Sequence, residues 1–497
     1  MSNSEKSAQP KAQAGGTREA CKVAGEVGVL HSSVDLWESI THGEPREGTC
    51  PNAQKRSKGR GDGPQGLRTP NKVRKLQITL YRKAKAEPKY RFWSLYGEVQ
   101  RKDVLEAALE AVSENGGAPG VDGENVESIS KTAEGQEKWI EALHLELKEK
   151  RYRASPVRRV WIDKSSGGQR PLGIPTVKDR VVQAAVYLVL MPIWEADFHE
   201  QSYGFRPKRR AHQAMDAIKG AVRSGRVEVI DADLSKYFDS IPHRELMREV
   251  AKRISDGAVL ALIKAWLRAP VVEKNEAGRV KISVNRQGTP QGGVISPLLA
   301  NIYLNPLDWE INEGNRNYSR MVRYADDFVV LCPAGRGQQI QEQIKQWLAG
   351  KGLALNERKT RQVNIYREGI RFLGFRLNGR RSRRGRAYLH VEPETGSCAA
   401  LRGRLCEILN HYTECRSIAG VVSETNAVLR GWCGYFHYGN NTRVFGKVQY
   451  WVCNRLRRWV WRKHACTRAL YGHYTDQRLH EAYGLWRMPA TAAWKAP

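Results

Sequence analysis

Residues 321–332 read MVRYADDFVVLC. Apolar runs on both sides of Tyr324-Ala325-Asp326-Asp327 predict two short strands joined by an acidic turn. Adjacent carboxylates at a hairpin tip repel each other, and a bound divalent cation offsets that repulsion. Asp is also an ordinary turn residue, so the tetrapeptide needs a second feature beside it before it implies chemistry. Upstream, VEVIDADL is rich in β-branched residues and reads as a strand that runs into Asp231-Ala232-Asp233-Leu234-Ser235-Lys236-Tyr237-Phe238-Asp239. Strand alternation places Asp231 and Asp233 on one face. If that strand neighbours the acidic hairpin, three carboxylates converge. Such a cluster suits two Mg²⁺ ions about 3.5–4 Å apart, the arrangement for in-line nucleotidyl transfer. No Walker A lysine loop occurs, so an NTPase is not indicated.

Working outward, KVRKLQITLYRKAK and DVLEAALEAV predict amphipathic helices, followed by the Gly/Pro-dense loop ENGGAPGVDG. PVRRVWIDKSSGGQRPLGIP predicts two strands around a Ser-Gly-Gly turn, and DRVVQAAVYLVLMPIWEADF a buried helix. SPLLANIYLNPLDW predicts a helix with Ser296 as N-cap and Pro297 in its first turn, and IQEQIKQWLAGKG a helix closed by Gly. Strands and helices alternate without a regular repeat, which favours an α/β or α+β core.

The chain has 497 residues and a formal net charge of +30, from 82 Lys and Arg against 52 Asp and Glu. That length implies two to four packed units. Such an excess opposes compaction unless a polyanion neutralises it, and nucleic acid is the partner expected. Nine scattered cysteines with no C-x-x-C argue against a zinc site or a disulfide framework. The start of the chain lacks a signal-peptide apolar stretch, and Val181–Trp194 is too short to span a bilayer. A soluble, cytoplasmic, nucleic-acid-associated protein with no membrane partner is therefore expected. Residues 1–70 are rich in Gly, Ser, Pro and charge and read as a disordered basic tail. Arg371–Pro497 holds 22 Lys and Arg against 7 Asp and Glu, a net of +15 and half of the whole excess. Trp432, Trp451, Trp459 and Trp461 are interleaved there with basic residues, densest in RLRRWVWRKH. Cations neutralise phosphates and aromatic faces stack on unpaired bases. The plainer reading makes half of these tryptophans core.

The order DADLSKYFD, QGTPQGGVISPLLANIYL, YADD, LALNERKT and IRFLGF resembles the successive motifs of reverse transcriptases. The upstream GGAPGVDG, RPLGIPTVKDR and SYGFRPKRRAHQA resemble blocks of the group II intron-encoded subfamily, and LRGWCGYFHYGN resembles its maturase or thumb region. The resemblance runs from about Lys72 to the C-terminus. It implies an α+β right-hand polymerase: N-terminal helices and fingers with interleaved palm elements at 71–226, palm at 227–375, and an α-helical thumb/maturase region at 376–497.

The same resemblance assigns roles. Asp233, Asp326 and Asp327 form the catalytic, Mg²⁺-binding triad, with Asp326 the surer ligand of the last two. Phe238, five residues past Asp233, is the steric gate against a ribose 2′-hydroxyl; core packing is its plainer reading. Lys164 and Arg170 are fingers residues that grip the dNTP triphosphate, or else flank a solvated hairpin. Gln291 lies beside the nascent base pair, Gly292 permits close backbone approach, and Lys359 stands near the leaving pyrophosphate. Arg455, Arg457, Arg458, Arg462 and Lys463 are the candidate nucleic-acid contacts. The expected partners are group II intron RNA, a DNA target or primer, and dNTPs. The assembly state stays open, a homodimer included. No paired-cysteine site follows the thumb-like segment, so second-strand cleavage by an appended endonuclease is not expected. Two rivals stand: a binding-only splicing maturase, and another bacterial reverse transcriptase of the retron, diversity-generating or CRISPR-linked kind.

Overall fold

The computed structural model describes residues 71–129, 132–163, 168–274, 279–314, 318–410, 416–464 and 469–492. The N-terminal tail expected over 1–70 lies outside them, as does Lys164 with most of the Ser-Gly-Gly turn.

The N-terminal part is helical: α1 (Asn71–Ala86), α2 (Lys102–Asn115) and α3 (Ala133–Lys148). The α2 helix ends on Gly116 at φ +54°, the left-handed C-cap that glycine adopts without strain. The first two pack on α4 (Val177–Glu195), in which nearly every residue from Val177 to Trp194 is buried, and α3 packs on α2. A helix apolar on all sides has no solvent face to offer, so it becomes the axis of a core. Thr176 starts it by accepting a bond from the Asp179 amide.

Before α4 come β1 (Val157–Asp163) and β2 (Gln169–Ile174), paired antiparallel as their alternation predicts. They form one sheet with β4 (Val271–Lys274) and β5 (Val280–Ser283), in the order β2-β1-β4-β5. Between these strand pairs lie α5 (Ala211–Arg223), β3 (Glu228–Asp233), α6 (His243–Ala251) and α7 (Gly257–Arg268).

The central sheet has the order β6-β7-β3-β8, all pairs antiparallel, from β6 (Arg320–Tyr324), β7 (Asp327–Cys332), β3 and β8 (Arg361–Asn364). It separates two cores. Ile230, Ala232, Phe328 and Val330 join the core built on α4. Val229, Val322, Val329 and Leu331 join a second core shared with α5 and the C-terminal part. Because side chains alternate, the row that begins with Val229 continues outward to Asp231 and Asp233, and the row of Leu331 and Val329 continues to Asp327. The acidic face is thus the extension of an apolar one.

Helix α8 (Ser296–Trp309) follows the PQG loop. Ser296 is its first residue rather than its cap; Ile295 is the N-cap, and the Ser296 hydroxyl donates instead to the Pro290 carbonyl, 2.8 Å away. Helix α9 (Gly337–Gly350) ends before Gly352 at φ +69°.

The region from 376, expected to be helical, begins with strands. β9 (Ile370–Phe372), β10 (Phe375–Arg381) and β11 (Ala387–Pro393) form a separate sheet, and only then come α10 (Thr395–Asn410), α11 (Ile418–Phe436) and α12 (Thr442–Lys463). Leu377 and Val391 are buried in β10 and β11, whereas Arg376, Arg380 and Arg381 point outward. Charge in this stretch masks a strand period of two. Among the described residues no helix is long and apolar enough to cross a membrane.

Candidate active site

β3 and β7 pair so that Asp233 stands directly opposite Asp327. Tyr324 pairs with Asp327 across the β6–β7 hairpin, leaving Ala325 and Asp326 as a two-residue loop. Ala325 is at φ +61°, a conformation that costs a residue with a Cβ about 1 kcal/mol or more. Three elements hold it there. The Arg323 guanidinium, wholly buried, donates to the Ala325 carbonyl, to Asn301 Oδ1 and, through its two remaining edges, to Asp308 on α8. Asn301 in turn donates to the Gly204 carbonyl at 2.8 Å. A Cβ on Gly204 would stand 2.3 Å from the Ala325 amide nitrogen, so only glycine fits behind the tip. Residues 201–203 run alongside β6, with the Tyr203 amide on the Arg323 carbonyl and the Arg323 amide on that of Gln201. The motifs SYGF, SPLLANIYL and YADD therefore meet at one buried node. Sequence reading missed Arg323, Asn301 and Asp308; a charged residue inside an apolar strand was the available signal.

Asp233 is fixed by the LALNERKT segment. The Asn356 amide donates to the Asp233 carbonyl, Asn356 Nδ2 reaches Asp233 Oδ2 at 3.1 Å, and Lys359 Nζ lies 3.3 Å from the same oxygen. Asp231 is engaged by Arg361 at 3.1 Å. Among the described residues no cation pairs with Asp327. Burial first, then the charges of Asp231, Asp326 and Asp233, push its carboxyl up to about 7. Burial also raises Asp326; Arg170 opposes that rise and Asp233 adds to it. Among the described residues no three His, Cys, Asp or Glu side chains close into a metal-holding group as they stand. The donor set is nonetheless hard oxygen with a surplus of negative charge, which is what Mg²⁺ requires.

The other expected residues gather at the same end. Arg170 Nε donates to Gln291 Oε1 at 2.5 Å, and the Gly173 amide to the Gln291 carbonyl at 2.6 Å. Gly292 sits at φ +110° with the Gly173 carbonyl 2.3 Å from where a Cβ would be, so its close approach is to β2. Phe238 is buried, edge-on to Tyr237, and its carbonyl accepts from the Thr289 amide.

Residues 162–377 match the reverse transcriptase (RNA-dependent DNA polymerase) family, and residues 398–476 match the maturase-specific domain of group II introns. Protein YkfC of Escherichia coli is 36% identical over 63% of this chain and 90% of its own length. Group II intron-encoded protein LtrA of Lactococcus lactis is 30% identical over 59% of this chain and 57% of its own length, so the chain spans just over half of that relative. The chain belongs to the group II intron-encoded reverse transcriptase/maturase family. Among solved structures a Candida albicans telomerase aligns at 14% identity and TM-score 0.39, over 71% of this chain and 69% of that one, a likeness that adds nothing to the assignment.

Within the maturase domain, α12 sorts the expected RNA contacts. Arg457 is buried, donates to the Tyr474 carbonyl at 2.6 Å and pairs with Asp476. It holds the fold together and does not belong with the phosphate contacts. Arg455 bonds Asn410, while Arg458 and Arg462 are exposed and Lys463 lies over the Trp459 ring. The solvent face of α12 carries Arg443, Lys447, Tyr450, Arg458 and Trp461, at helical spacing. Trp459 is core, Trp432 packs half-buried on Phe436 and Phe445, and Trp461 is exposed.

Proposed function

We propose that this chain copies RNA into DNA at the end of the central sheet and uses the outer face of α12 to hold intron RNA. The observation that carries the polymerase reading is the register of β3 on β7, which sets Asp233 against Asp327 with Asp326 at the adjoining tip. Asp233, Asp326 and Asp327 are the residues that would hold Mg²⁺. The metal, when bound, supplies charge neutralisation for a primer 3′-oxygen and a triphosphate. The protein's own share is positioning. The Arg323 node fixes the hairpin tip, Asn356 fixes Asp233, and Arg170, tethered to Gln291, presents a guanidinium toward a triphosphate. Lys359 leaves Asp233 to face the pyrophosphate, and Phe238 closes the space beside the sugar 2′ position. Lys164 belongs to the triphosphate grip by resemblance alone.

The maturase role rests on the match over 398–476 and on the cationic, aromatic stripe of α12. In this reading the protein binds its intron RNA for splicing and supports mobility by target-primed copying. The test is primer extension by the full chain on an RNA template with dNTPs, with and without Mg²⁺. DNA product that depends on Mg²⁺ supports the polymerase; intron RNA binding without any product would leave a binding-only maturase.

A further inference from the structure

A second cationic site lies at the seam between the β2-β1-β4-β5 sheet and helices α6 and α7. Pro242, His243 and Arg244 at the start of α6, Arg268 at the end of α7, and residues 284–287 leading from β5 to the PQG loop line a cleft of about 550 Å³. Its three arginines are all exposed, and among the described residues none of the three has a hydrogen-bond or ion-pair partner. Among the described residues that line it there is no Asp or Glu. One turn further along α6 the pattern is different: Arg248 pairs with Glu245 at 2.6 Å and Lys252 with Glu249 at 2.5 Å. Burial holds the His243 imidazole below its usual range; its bond to the Gly288 carbonyl opposes that, and the Arg268 charge adds a smaller push downward.

We propose that this cleft grips the phosphates of single-stranded RNA template on its way to the templating position. The inference rests on the polymerase reading above. Three converging cations without a counter-charge repel one another, and a phosphate chain is the ligand that relieves this. The volume admits a nucleotide or two and not a duplex. The cleft is also wired to the active site through backbone. His243 Nε2 donates to the Gly288 carbonyl at 2.7 Å, the Gly288 amide to the Ile241 carbonyl at 2.8 Å, and the Thr289 amide to the Phe238 carbonyl at 2.7 Å. The same backbone reaches Gln291 two residues later. A strand seated on Arg244, Arg268 and Arg286 is thereby delivered to the Phe238–Gln291 end of the palm. Gln287, exposed beside them, offers an amide to a base edge or a 2′-hydroxyl.

The test uses the full chain and two fluorescent DNA primer–RNA template duplexes, one blunt and one with a long 5′ RNA overhang. Binding is read by anisotropy across a salt series, independently of synthesis. Wild type should bind the overhang substrate more tightly, with a steeper salt dependence. Arg244→Gln, Arg268→Gln and Arg286→Gln combined should erase that preference and lower the overhang's salt slope by about 0.7 per lost contact, roughly two units in all. A charge-matched control, Lys83→Gln, Lys138→Gln and Lys345→Gln, removes three cations from exposed ion pairs elsewhere and should keep the preference. A wild type without the preference, or a folded triple variant that retains it, overturns the proposal. So does equal loss in the control, which would make the effect one of net charge. Failure of the polymerase reading shows separately, as wild-type protein that binds both substrates and extends neither.

Discussion

Arg323 and Asp308 are joined by two charge-assisted hydrogen bonds, 2.8 Å from Nε to Oδ1 and 2.5 Å from Nη2 to Oδ2, where solvent does not reach. The pair ties α8 to the hairpin that carries Asp326. Burying two charges is costly unless the geometry is good and the remaining donors are used, and here Nη1 is used twice.

Arg323→Lys keeps the charge and loses the planar fork. The variant should fold, yet turnover at saturating dNTP should fall on the order of 100-fold, as expected when a catalytic group shifts by about an ångström. The Mg²⁺ concentration for half-maximal rate should rise. A fall in the active fraction alone, with unchanged Mg²⁺ dependence per active molecule, would assign the pair to stability only. Asp308→Asn leaves the buried cation uncompensated and should cost about 3–5 kcal/mol of stability.

Asp327 predicts a pH dependence. Its folded carboxyl titrates near 7 and its ordinary value is 3.8, so the folded state binds the proton more tightly. Stability from this group is full below about pH 3.8 and is lost as pH rises toward 7. The metal-free melting temperature should therefore decline over that window. Mg²⁺ should restore it at alkaline pH and do little in acid, where the proton competes. Asp327→Asn should flatten the decline; an unchanged profile would place the titration elsewhere.

Phe238 is expected to select the sugar. Phe238→Val should raise ribonucleotide incorporation relative to deoxyribonucleotide by roughly 10–200-fold, the range of a lost steric contact. Because the ring is buried, Phe238→Ala also removes core packing at about 3–5 kcal/mol, so the smaller truncation is the cleaner probe. Unaltered discrimination in a folded Phe238→Val variant would make the ring core only.

In α12 the same residue type has two fates. Arg458→Gln and Arg462→Gln should each flatten the salt slope of intron RNA binding by about 0.7–0.9. Arg457→Gln should instead lower the melting temperature, since it strips a buried pair with Asp476 and the bond to the Tyr474 carbonyl. A slope change from Arg457→Gln without loss of stability would reverse this division.

The sequence exposed what alternation and turn chemistry control. Asp231 and Asp233 share a face because strand period is two, and the YADD turn stands out because apolar strands flank it. It could not show which cations face inward. Arg323 and Arg457 look like any other arginine of the chain until partners 22 and 19 residues away, Asn301 and Asp476, are brought beside them. The Asn356 clamp on Asp233 joins residues far apart in sequence, and no local pattern encodes it. β10 was hidden for a related reason: Arg376, Arg380 and Arg381 along it obscure a buried row of only a few apolar residues.

The most direct measurement is Mg²⁺-dependent primer extension on an RNA template by wild type, Asp233→Ala and Asp326→Ala, with intron RNA binding measured in parallel. Wild type should synthesise DNA, both variants should lose synthesis, and all three should bind intron RNA alike, because the contacts proposed for that RNA lie on the solvent face of α12, an element that carries none of the three aspartates. Robust synthesis by Asp326→Ala would contradict the account.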